Sequence, residues 1–317
     1  MHKLFLATLA LCAVSFAQAQ TEPVTLDAVL VTGELPGPPL WKVSKGDHVL
    51  WIMAIYGPVP KKMSWQSKAV DDAIASSQEI ITSPSLDIDI GFFRGLLLMR
   101  KWNKAQKNLN GAKLDTVLPA DVYARFTAIR SKYDVSDSIE KLRPSFAAQK
   151  LYQKAYEDAG LTPNTAVYDT IVRIAKKNDV PFRNVWVKIE DPASYLSEID
   201  AIPLEMHVDC MKLTLTRIET DMLALRARAN AWATGDMDAI RYLPYVNTST
   251  ACWNAASQTA GRFATAYNQQ WPNWHAAVED ALAKNASTFT YIGLSDLLNP
   301  AGPLATLRDK GYTVEEP

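Results

Sequence analysis

The sequence predicts an α/β fold in which a layered sheet is flanked by many helices, with more helix than strand. Strand-like segments lie near both ends of the folded part, at 40–55 and 312–315, and in its middle at 182–189. Amphipathic helical segments fill the intervals between them. No internal repeat and no low-complexity linker divides the chain. We therefore expect a single domain over 40–317.

The overall composition is that of an ordinary globular protein. The chain has 317 residues, of which 48% are hydrophobic and 21% charged, and its formal net charge is −1. These values exclude a disordered, collagen-like or coiled-coil chain. A nucleic-acid-binding protein normally has an excess of basic residues or a basic patch. We therefore expect no nucleic-acid partner.

The first 19 residues have the three parts of a secretory signal peptide. The basic start Met1-His2-Lys3 precedes an apolar run of 13 residues over 4–16, and Ala17-Gln18-Ala19 forms a small-residue cleavage pattern. This run is shorter than the roughly 18–20 residues that a membrane-spanning helix needs, and no later segment is apolar enough to span a bilayer. We expect cleavage after Ala19 and a periplasmic or secreted bacterial protein with no integral membrane segment.

A β-hairpin is predicted at the start of the domain. Proline and glycine recur over 20–39, which indicates an extended N-terminal arm before it. Apolar and polar residues then alternate over 40–43, and a strongly strand-like segment follows at 48–55. The intervening Lys45-Gly46-Asp47 is typical of a tight turn. Pro58 ends the second strand.

Helical periodicity dominates the chain up to residue 177. Pro119 stands at the start of one segment, where a missing N–H is tolerated. Gly160 follows the end of another segment, as is common at a helix C-terminus. The helices predicted here are 67–77, 90–104, 119–133, 144–159 and 165–177, with a short strand at 78–82 after the first of them.

The rest of the chain opens with the strand 182–189, in which Val185, Val187 and Ile189 alternate with polar or exposed positions. Gly235 marks the end of a long helical stretch. The remaining predicted helices are 192–199, 204–234, 236–243, 250–268, 272–284 and 303–310, and the remaining strands are 288–293 and 312–315.

Two cysteines remain after removal of the signal peptide, Cys210 and Cys252. An isolated pair in an oxidising compartment usually forms a disulfide. Both cysteines lie in predicted helices, which would bring them together if the helices are antiparallel. A bridge requires Cα atoms within about 7 Å of each other. Two buried free thiols are the alternative.

Familiar catalytic and metal-binding motifs are missing from the sequence. His48, His207 and His275 are far apart, and none belongs to a zinc-binding spacing. The sequence has no Gly-x-Ser-x-Gly elbow and no glycine-rich phosphate loop. Trp271 and Trp274 are candidates for stacking on a sugar or a peptide, with packing against the core as the alternative.

The two ends of the domain carry distinctive motifs. The opening hairpin contains Leu40-Trp41-Lys42-Val43 and Leu50-Trp51-Ile52-Met53. The closing part runs from the strand Thr288–Gly293 to Gly311-Tyr312-Thr313-Val314-Glu315. Both resemble the TraB/PrgY/GumN family. The resemblance implies a relation to the TIKI metalloproteases and a three-layer α/β core with a cleft, similar to the erythromycin-esterase and haem-binding ChaN proteins.

The same resemblance implies an active site in which two Gly-x-x-His motifs and acidic residues hold a divalent metal, which activates water. The first motif here reads Ala54-Ile55-Tyr56-Gly57 and the second Gly293-Leu294-Ser295-Asp296, so both histidines are missing. A glutamate expected after the next strand is replaced by Ser83. The glutamate after the middle strand is kept as Glu190.

We therefore expect an exported protein that has lost the catalytic activity of the family, with no catalytic residue, metal ligand or cofactor. It would bind a peptide, a glycan or another envelope partner through the former active-site cleft. Ligand sites of α/β folds lie beyond the carboxyl ends of strands. The predicted cleft residues, which follow strands, are Tyr56, Gly57, Ser83, Glu190 and Asp296.

The alternative is a metal-dependent, peptidase-like hydrolase with rearranged ligands. Asp296 and Glu190, with Asp87 or Asp89, would offer oxygen ligands to Mg²⁺ or Ca²⁺. His48 is a further candidate ligand. Two carboxylates without a histidine make a poor zinc site, so a hard divalent cation would be the cofactor.

Overall fold

The computed structural model describes residues 37–61, 68–87, 92–163, 165–189, 191–243, 252 and 261–317. The strands are β1 (Leu40–Lys45), β2 (His48–Ile55), β3 (Val59–Pro60), β4 (Ile80–Ile81), β5 (Ser85–Asp87), β6 (Leu161–Thr162), β7 (Phe182–Arg183), β8 (Trp186–Lys188), β9 (Ser287–Gly293) and β10 (Thr313–Glu315). The first helices are α1 (Lys68–Ala75), α2 (Phe92–Ala105), α3 (Leu114–Val117), α4 (Ala120–Lys132), α5 (Pro144–Asp158), α6 (Thr165–Lys177) and α7 (Pro192–Asp200). The later helices are α8 (Leu204–Thr220), α9 (Met222–Thr234), α10 (Met237–Tyr242), α11 (Gly261–Lys284), α12 (Leu294–Leu297) and α13 (Pro303–Asp309).

The main sheet has six strands in the order β10-β1-β2-β9-β4-β7. Strands β10, β1 and β2 are antiparallel neighbours, whereas β2, β9, β4 and β7 run parallel. Two small two-stranded sheets, β3-β6 and β5-β8, stand beside it. The mixed, helix-rich α/β fold predicted from the sequence is confirmed.

The β1–β2 hairpin forms as its alternation predicts. Leu40 pairs with Met53 and Lys45 with His48. Gly46 in the turn has φ of 60°, a left-handed conformation that glycine adopts without strain. Beyond Leu50, both faces of β2 are largely buried, because helices cover both sides of the sheet centre.

Strand β9 lies at the sheet centre and carries polar residues into the core. Thr288 and Thr290 are fully buried between Phe289 and Ile292. A buried hydroxyl needs a partner, and the Thr290 hydroxyl donates to the carbonyl of Ile81 on β4 at 2.8 Å. Polar residues in this strand therefore link adjacent strands instead of pointing to solvent.

A second apolar core lies among the helices α4, α5 and α8. Phe126, Leu151, Met211 and Leu215 are fully buried there. Tyr152 and Met222 pack against both cores. Within the first core, the Trp232 indole N–H on α9 donates to the carbonyl of Ala54 at the end of β2, at 2.9 Å. This contact holds the helical part of the chain against the end of the central strand.

Three predicted boundaries are wrong. The predicted strand 182–189 is two short strands, β7 and β8, which pair with different sheets. The predicted helix 204–234 breaks at Asp221, which ends α8 and whose side chain turns into a buried ion pair. Conversely, α11 continues through Pro272, because buried Trp274 and Val278 anchor the helix beyond the missing hydrogen bond.

The predicted disulfide is confirmed in its geometry. The Cα atoms of Cys210 and Cys252 are 5.1 Å apart and the two sulfur atoms are bonded. Most of the predicted helix 250–268 before residue 261 lies outside the described residues. The bridge therefore fixes one point of that part of the chain to α8.

The predicted signal peptide and most of the predicted arm also lie outside the described residues. The arm is described only from Gly37, whose N–H donates to the carbonyl of Ala233 in α9 at 3.1 Å. Gly37, Pro38 and Pro39 are buried. Among the described helices, none combines the length and apolar character needed to cross a membrane.

Candidate functional site

A cavity of about 1010 Å³ opens at the carboxyl ends of β2 and β9. The segment Ile55–Pro58 and the segment Gly293–Asp296, which follow these parallel strands, line one side of it. Helices α5, α8, α9, α10 and α11 supply most of the remaining described lining, and Leu243, Leu298 and Asn299 complete it. Parallel neighbours end at the same edge of a sheet, which is where α/β folds place ligand sites.

Most of the predicted cleft residues come together at this edge. Tyr56, Gly57 and Asp296 line the cavity. Ser83 lines a smaller adjoining cavity of about 120 Å³, to which Asp296 also contributes. The Ser83 hydroxyl donates to the carbonyl of Tyr291. Glu190 lies outside the described residues.

Two glycines determine where Asp296 lies. A Cβ atom on Gly293 would lie 2.9 Å from Asp296 Oδ2, and one on Gly302 would lie 2.3 Å from the Asp296 carbonyl oxygen. A side chain on Gly293 would displace the Asp296 carboxylate, and one on Gly302 would collide with the backbone. The glycines thus allow the α12 turn to fold tightly and to bring Asp296 to the end of β9.

Burial changes the acidity of the groups on this side of the cavity. Burial raises the pKa of the Asp296 carboxyl above its ordinary value. Burial also raises the pKa of Tyr267, and the charge of Asp296 adds to that effect. The environment therefore disfavours the negative charge of Asp296.

The opposite side of the cavity is basic. Arg228 Nη2 donates to Asp221 Oδ1 at 3.1 Å, and its Nη1 lies 3.4 Å from the Tyr56 hydroxyl. Arg217 Nε is 3.7 Å from Asp221 Oδ2, and the Arg217 guanidinium covers the Tyr152 ring at 4.4 Å. We call Arg217, Asp221 and Arg228 the arginine cluster. It joins the α8–α9 break to the end of β2.

The arginine cluster was not predicted, although the sequence contains a signal for it. Arg217, Asp221 and Arg228 are spaced by four and seven positions, which would place them on one face of a continuous helix. That face also carries apolar residues, among them Leu225. Charged residues repeated on an apolar face indicate a buried ion pair or a binding site.

The described residues do not fit a zinc site. Asp296 is the only carboxylate in the described lining of the main cavity, and neither imidazole nor thiolate accompanies it. His48 lies at the start of β2, eight residues or roughly 26 Å from Tyr56, and its Nδ1 is 2.6 Å from the Asn285 carbonyl oxygen. His48 therefore lies apart from the described site. Within the described ranges, no three potential ligands cluster anywhere.

Of the Asp87-x-Asp89 pair, only Asp87 is described, and it does not join the site. Asp87 lies in β5 opposite Lys188 and lines neither cavity, and Asp89 is outside the described residues. The rings of Trp271 and Trp274 are in contact, with centroids 5.7 Å apart, but Trp274 is fully buried in the core whereas Trp271 lines both cavities. Packing therefore accounts for Trp274, while Trp271 remains available to a ligand.

A second polar cluster joins α5 to α8. The Ser145 hydroxyl lies 2.6 Å from His207 Nδ1, and Arg143 Nη1 lies 3.5 Å from His207 Nε2. Arginine can only donate, so Nε2 accepts and Nδ1 carries the proton that goes to the Ser145 oxygen. A histidine in this tautomer cannot take the serine proton, so the pair stabilises the helix packing and is not a catalytic dyad.

Acid should destabilise the protein through His207. Burial, and then the charge of Arg143, lowers the pKa of His207 to about 4. Between pH 6.5 and 4 the unfolded state binds a proton that the folded state does not, so stability is full above pH 6.5 and falls as the pH drops. We expect a loss of about 3 kcal/mol over this range, measured by urea unfolding.

The matched controls for this prediction are two substitutions of the same type. His207→Gln should remove most of the slope between pH 6.5 and 4, and His48→Gln should keep it. An unchanged slope in His207→Gln would contradict the assignment of the acid sensitivity to this residue.

Comparison with known protein families matches residues 39–316, nearly the whole chain, to the TraB/PrgY/gumN family. Neither a curated protein nor a solved structure matches the chain. The two stretches that resemble the family in sequence form four adjacent strands, β10-β1-β2-β9, beside the cavity. The chain therefore belongs to the TraB/PrgY/gumN family.

Proposed function

We propose that this chain is an exported, non-catalytic binding protein whose ligand, a peptide, a glycan or another envelope component, occupies the cavity at the ends of β2 and β9. One observation carries the proposal: Gly57 and Asp296, at the positions where the family motifs would have histidines, both line this cavity. Glycine offers no side-chain ligand, and a lone carboxylate binds a metal weakly. The cavity is kept while the metal-binding groups are replaced.

The size and lining of the cavity suit an organic ligand. Small-molecule sites have volumes of about 300–1,000 Å³, and this cavity has about 1010 Å³. Aromatic rings from Tyr267 and Trp271 stand beside the polar side chains of Ser295 and Asn299. Such a mixture offers apolar contact area together with a few hydrogen bonds that orient the ligand.

Export is supported by the signal-peptide pattern of residues 1–19 and by the Cys210–Cys252 bridge, since disulfides persist in oxidising compartments. N-terminal sequencing of the mature protein should begin at Gln20. Recovery of the full-length chain from the membrane fraction would contradict export.

The non-catalytic part is tested by metal analysis of the purified mature protein. Elemental analysis and zinc titration should find less than stoichiometric metal, and added Zn²⁺, Mg²⁺ or Ca²⁺ should not produce peptide hydrolysis. His48→Ala serves as the matched control and should behave as the wild type. Stoichiometric metal at micromolar affinity that is lost in Asp296→Ala would instead favour the metal-dependent hydrolase.

The binding part is tested by filling the cavity. Ser295 is exposed and lines the cavity, so Ser295→Trp should fold and occupy ligand space. Calorimetric titration with a soluble digest of bacterial cell wall, which contains short peptides and amino-sugar oligomers, should give saturable heat with the wild type. The heat should vanish in Ser295→Trp and persist in Ser131→Trp, an exposed position on α4. Equal heats in all three would refute binding in the cavity.

A further inference from the structure

In the described part of its lining, the cavity has three guanidinium groups, Arg217, Arg228 and Arg241, and one carboxylate, Asp296. Arg217 is 6% exposed and Arg228 is 2% exposed. Burial of a cation is unfavourable unless negative charge or hydrogen-bond acceptors meet it. Asp221, which is 1% exposed, supplies one negative charge to both arginines.

We propose that the ligand of this cavity bears an oxyanion, either a carboxylate or a phosphate, and that Arg228 and Arg217 bind it. This inference rests on the proposed binding function and adds the chemical class of the ligand. It makes the arginine cluster the anion-binding end of the cavity and the Tyr267–Trp271 side its aromatic end.

The contacts of the arginine cluster orient its two guanidinium groups. Arg228 is held between Asp221 and the Tyr56 hydroxyl, and Arg217 is held between Asp221 and the face of the Tyr152 ring. A guanidinium presents five N–H donors in a rigid plane, which matches the oxygens of a carboxylate or phosphate. Orientation before binding reduces the entropy lost when the ligand binds.

Burial of the arginine cluster strengthens its interaction with an oxyanion. Buried charges interact more strongly than exposed ones because less water screens them. Burial also disfavours the charge of Asp296, the carboxylate that would repel an anion. Among the described lining side chains, three guanidinium groups therefore stand against one carboxylate whose charge is disfavoured.

The aromatic lining indicates that the anion is part of a larger molecule. The cavity volume of about 1010 Å³ greatly exceeds that of a single carboxylate or phosphate group. Tyr267 and Trp271 offer ring surfaces on which a planar or apolar body can pack. A simple inorganic ion would contact only the arginine cluster and leave this surface unused.

The test compares charged and neutral ligands of equal shape. Benzoate, phenyl phosphate, benzamide and inorganic phosphate are titrated into the mature protein by calorimetry at low and high salt. We expect both aromatic anions to bind, benzamide to bind at least about tenfold more weakly, and inorganic phosphate to bind more weakly than phenyl phosphate. High salt should lower the affinity for the anions and leave that for benzamide unchanged.

Substitutions locate the anion. Arg228→Met should lower the affinity for benzoate and phenyl phosphate by about tenfold to a hundredfold. Arg228→Lys should lower it by less, because lysine keeps the charge but not the planar arrangement of N–H donors. The Arg241 side chain is 40% exposed and already pairs with Glu316. Arg241→Met should therefore fold normally and lower the affinity for the two anions a few-fold. Arg125→Met, on α4 outside the cavity, is the matched control and should change nothing.

Two results would overturn the inference. The first is binding of benzamide as tight as that of benzoate, with no effect of the arginine substitutions, and the second is no binding of either aromatic anion. If cell-wall digest still binds and Ser295→Trp still abolishes that binding, the proposed function stands and only the anionic class is wrong. Equal anion affinity in wild type and Ser295→Trp would place the anion outside the cavity.

Discussion

Replacing Asp221 by asparagine should lower the free energy of unfolding by about 3–5 kcal/mol. The substitution keeps the shape of the side chain and removes the negative charge that faces Arg217 and Arg228. All three residues are buried, so the two guanidiniums would remain in the interior without this carboxylate. Chemical denaturation of the variant and the wild type at neutral pH measures the difference.

Two further variants make the Asp221 prediction specific. Asp238→Asn removes a carboxylate that is 87% exposed and 4.0 Å from Arg241, and should change stability by less than about 0.5 kcal/mol. Adding Arg228→Met to Asp221→Asn removes one of the two guanidinium groups that had faced the Asp221 carboxylate. This should restore part of the lost free energy of unfolding. A double variant less stable than Asp221→Asn alone would show that charge is not the cause.

Loss of the Cys210–Cys252 bridge should cost about 4 kcal/mol. The bridge closes a loop of 42 positions, and its main effect is to restrict the unfolded chain. We therefore expect the Cys210→Ser, Cys252→Ser double variant to unfold at lower denaturant concentration than the oxidised wild type. The bonded sulfurs already lie in helical segments, so the folded state itself should keep its helix content.

The reduced wild type is the internal control for the disulfide. Reduction should bring the wild type to the stability of the double variant and should leave the double variant unchanged. Coincident stabilities of oxidised and reduced wild type would contradict the prediction. The single variant Cys210→Ser leaves a free thiol at Cys252 and should match the double variant when both are measured under reducing conditions.

The Asp221 variant also links stability to the proposed ligand. An oxyanion at the arginine cluster would supply the negative charge that Asp221→Asn lacks. A ligand stabilises the folded state that binds it, and at a given concentration the stabilisation increases with the affinity. Phenyl phosphate should therefore raise the stability of Asp221→Asn more than that of the wild type.

The sequence by itself determined the parts of this protein that depend on neighbouring residues or on recognisable motifs. Alternation and the Lys45-Gly46-Asp47 turn predicted the β1–β2 hairpin, and the motifs at both ends identified the family. The replacement of the two motif histidines by Gly57 and Asp296 is likewise visible in the sequence. The cysteine pair was predicted from composition and compartment, without any contact information.

Only the tertiary structure decided where helices and strands divide and which charges meet. Periodicity cannot show that Asp221 interrupts a helical run, because its partners Arg217 and Arg228 lie on either side of the break and meet only after α8 and α9 pack. Similarly, the continuation of α11 through Pro272 depends on burial of Trp274 against the sheet. Such contacts join residues distant in sequence, and their free energies outweigh local preference. For the same reason, the spacing of Arg217, Asp221 and Arg228 indicates only that charges repeat on an apolar face, and the cavity that the two arginines line emerged only from the folded chain.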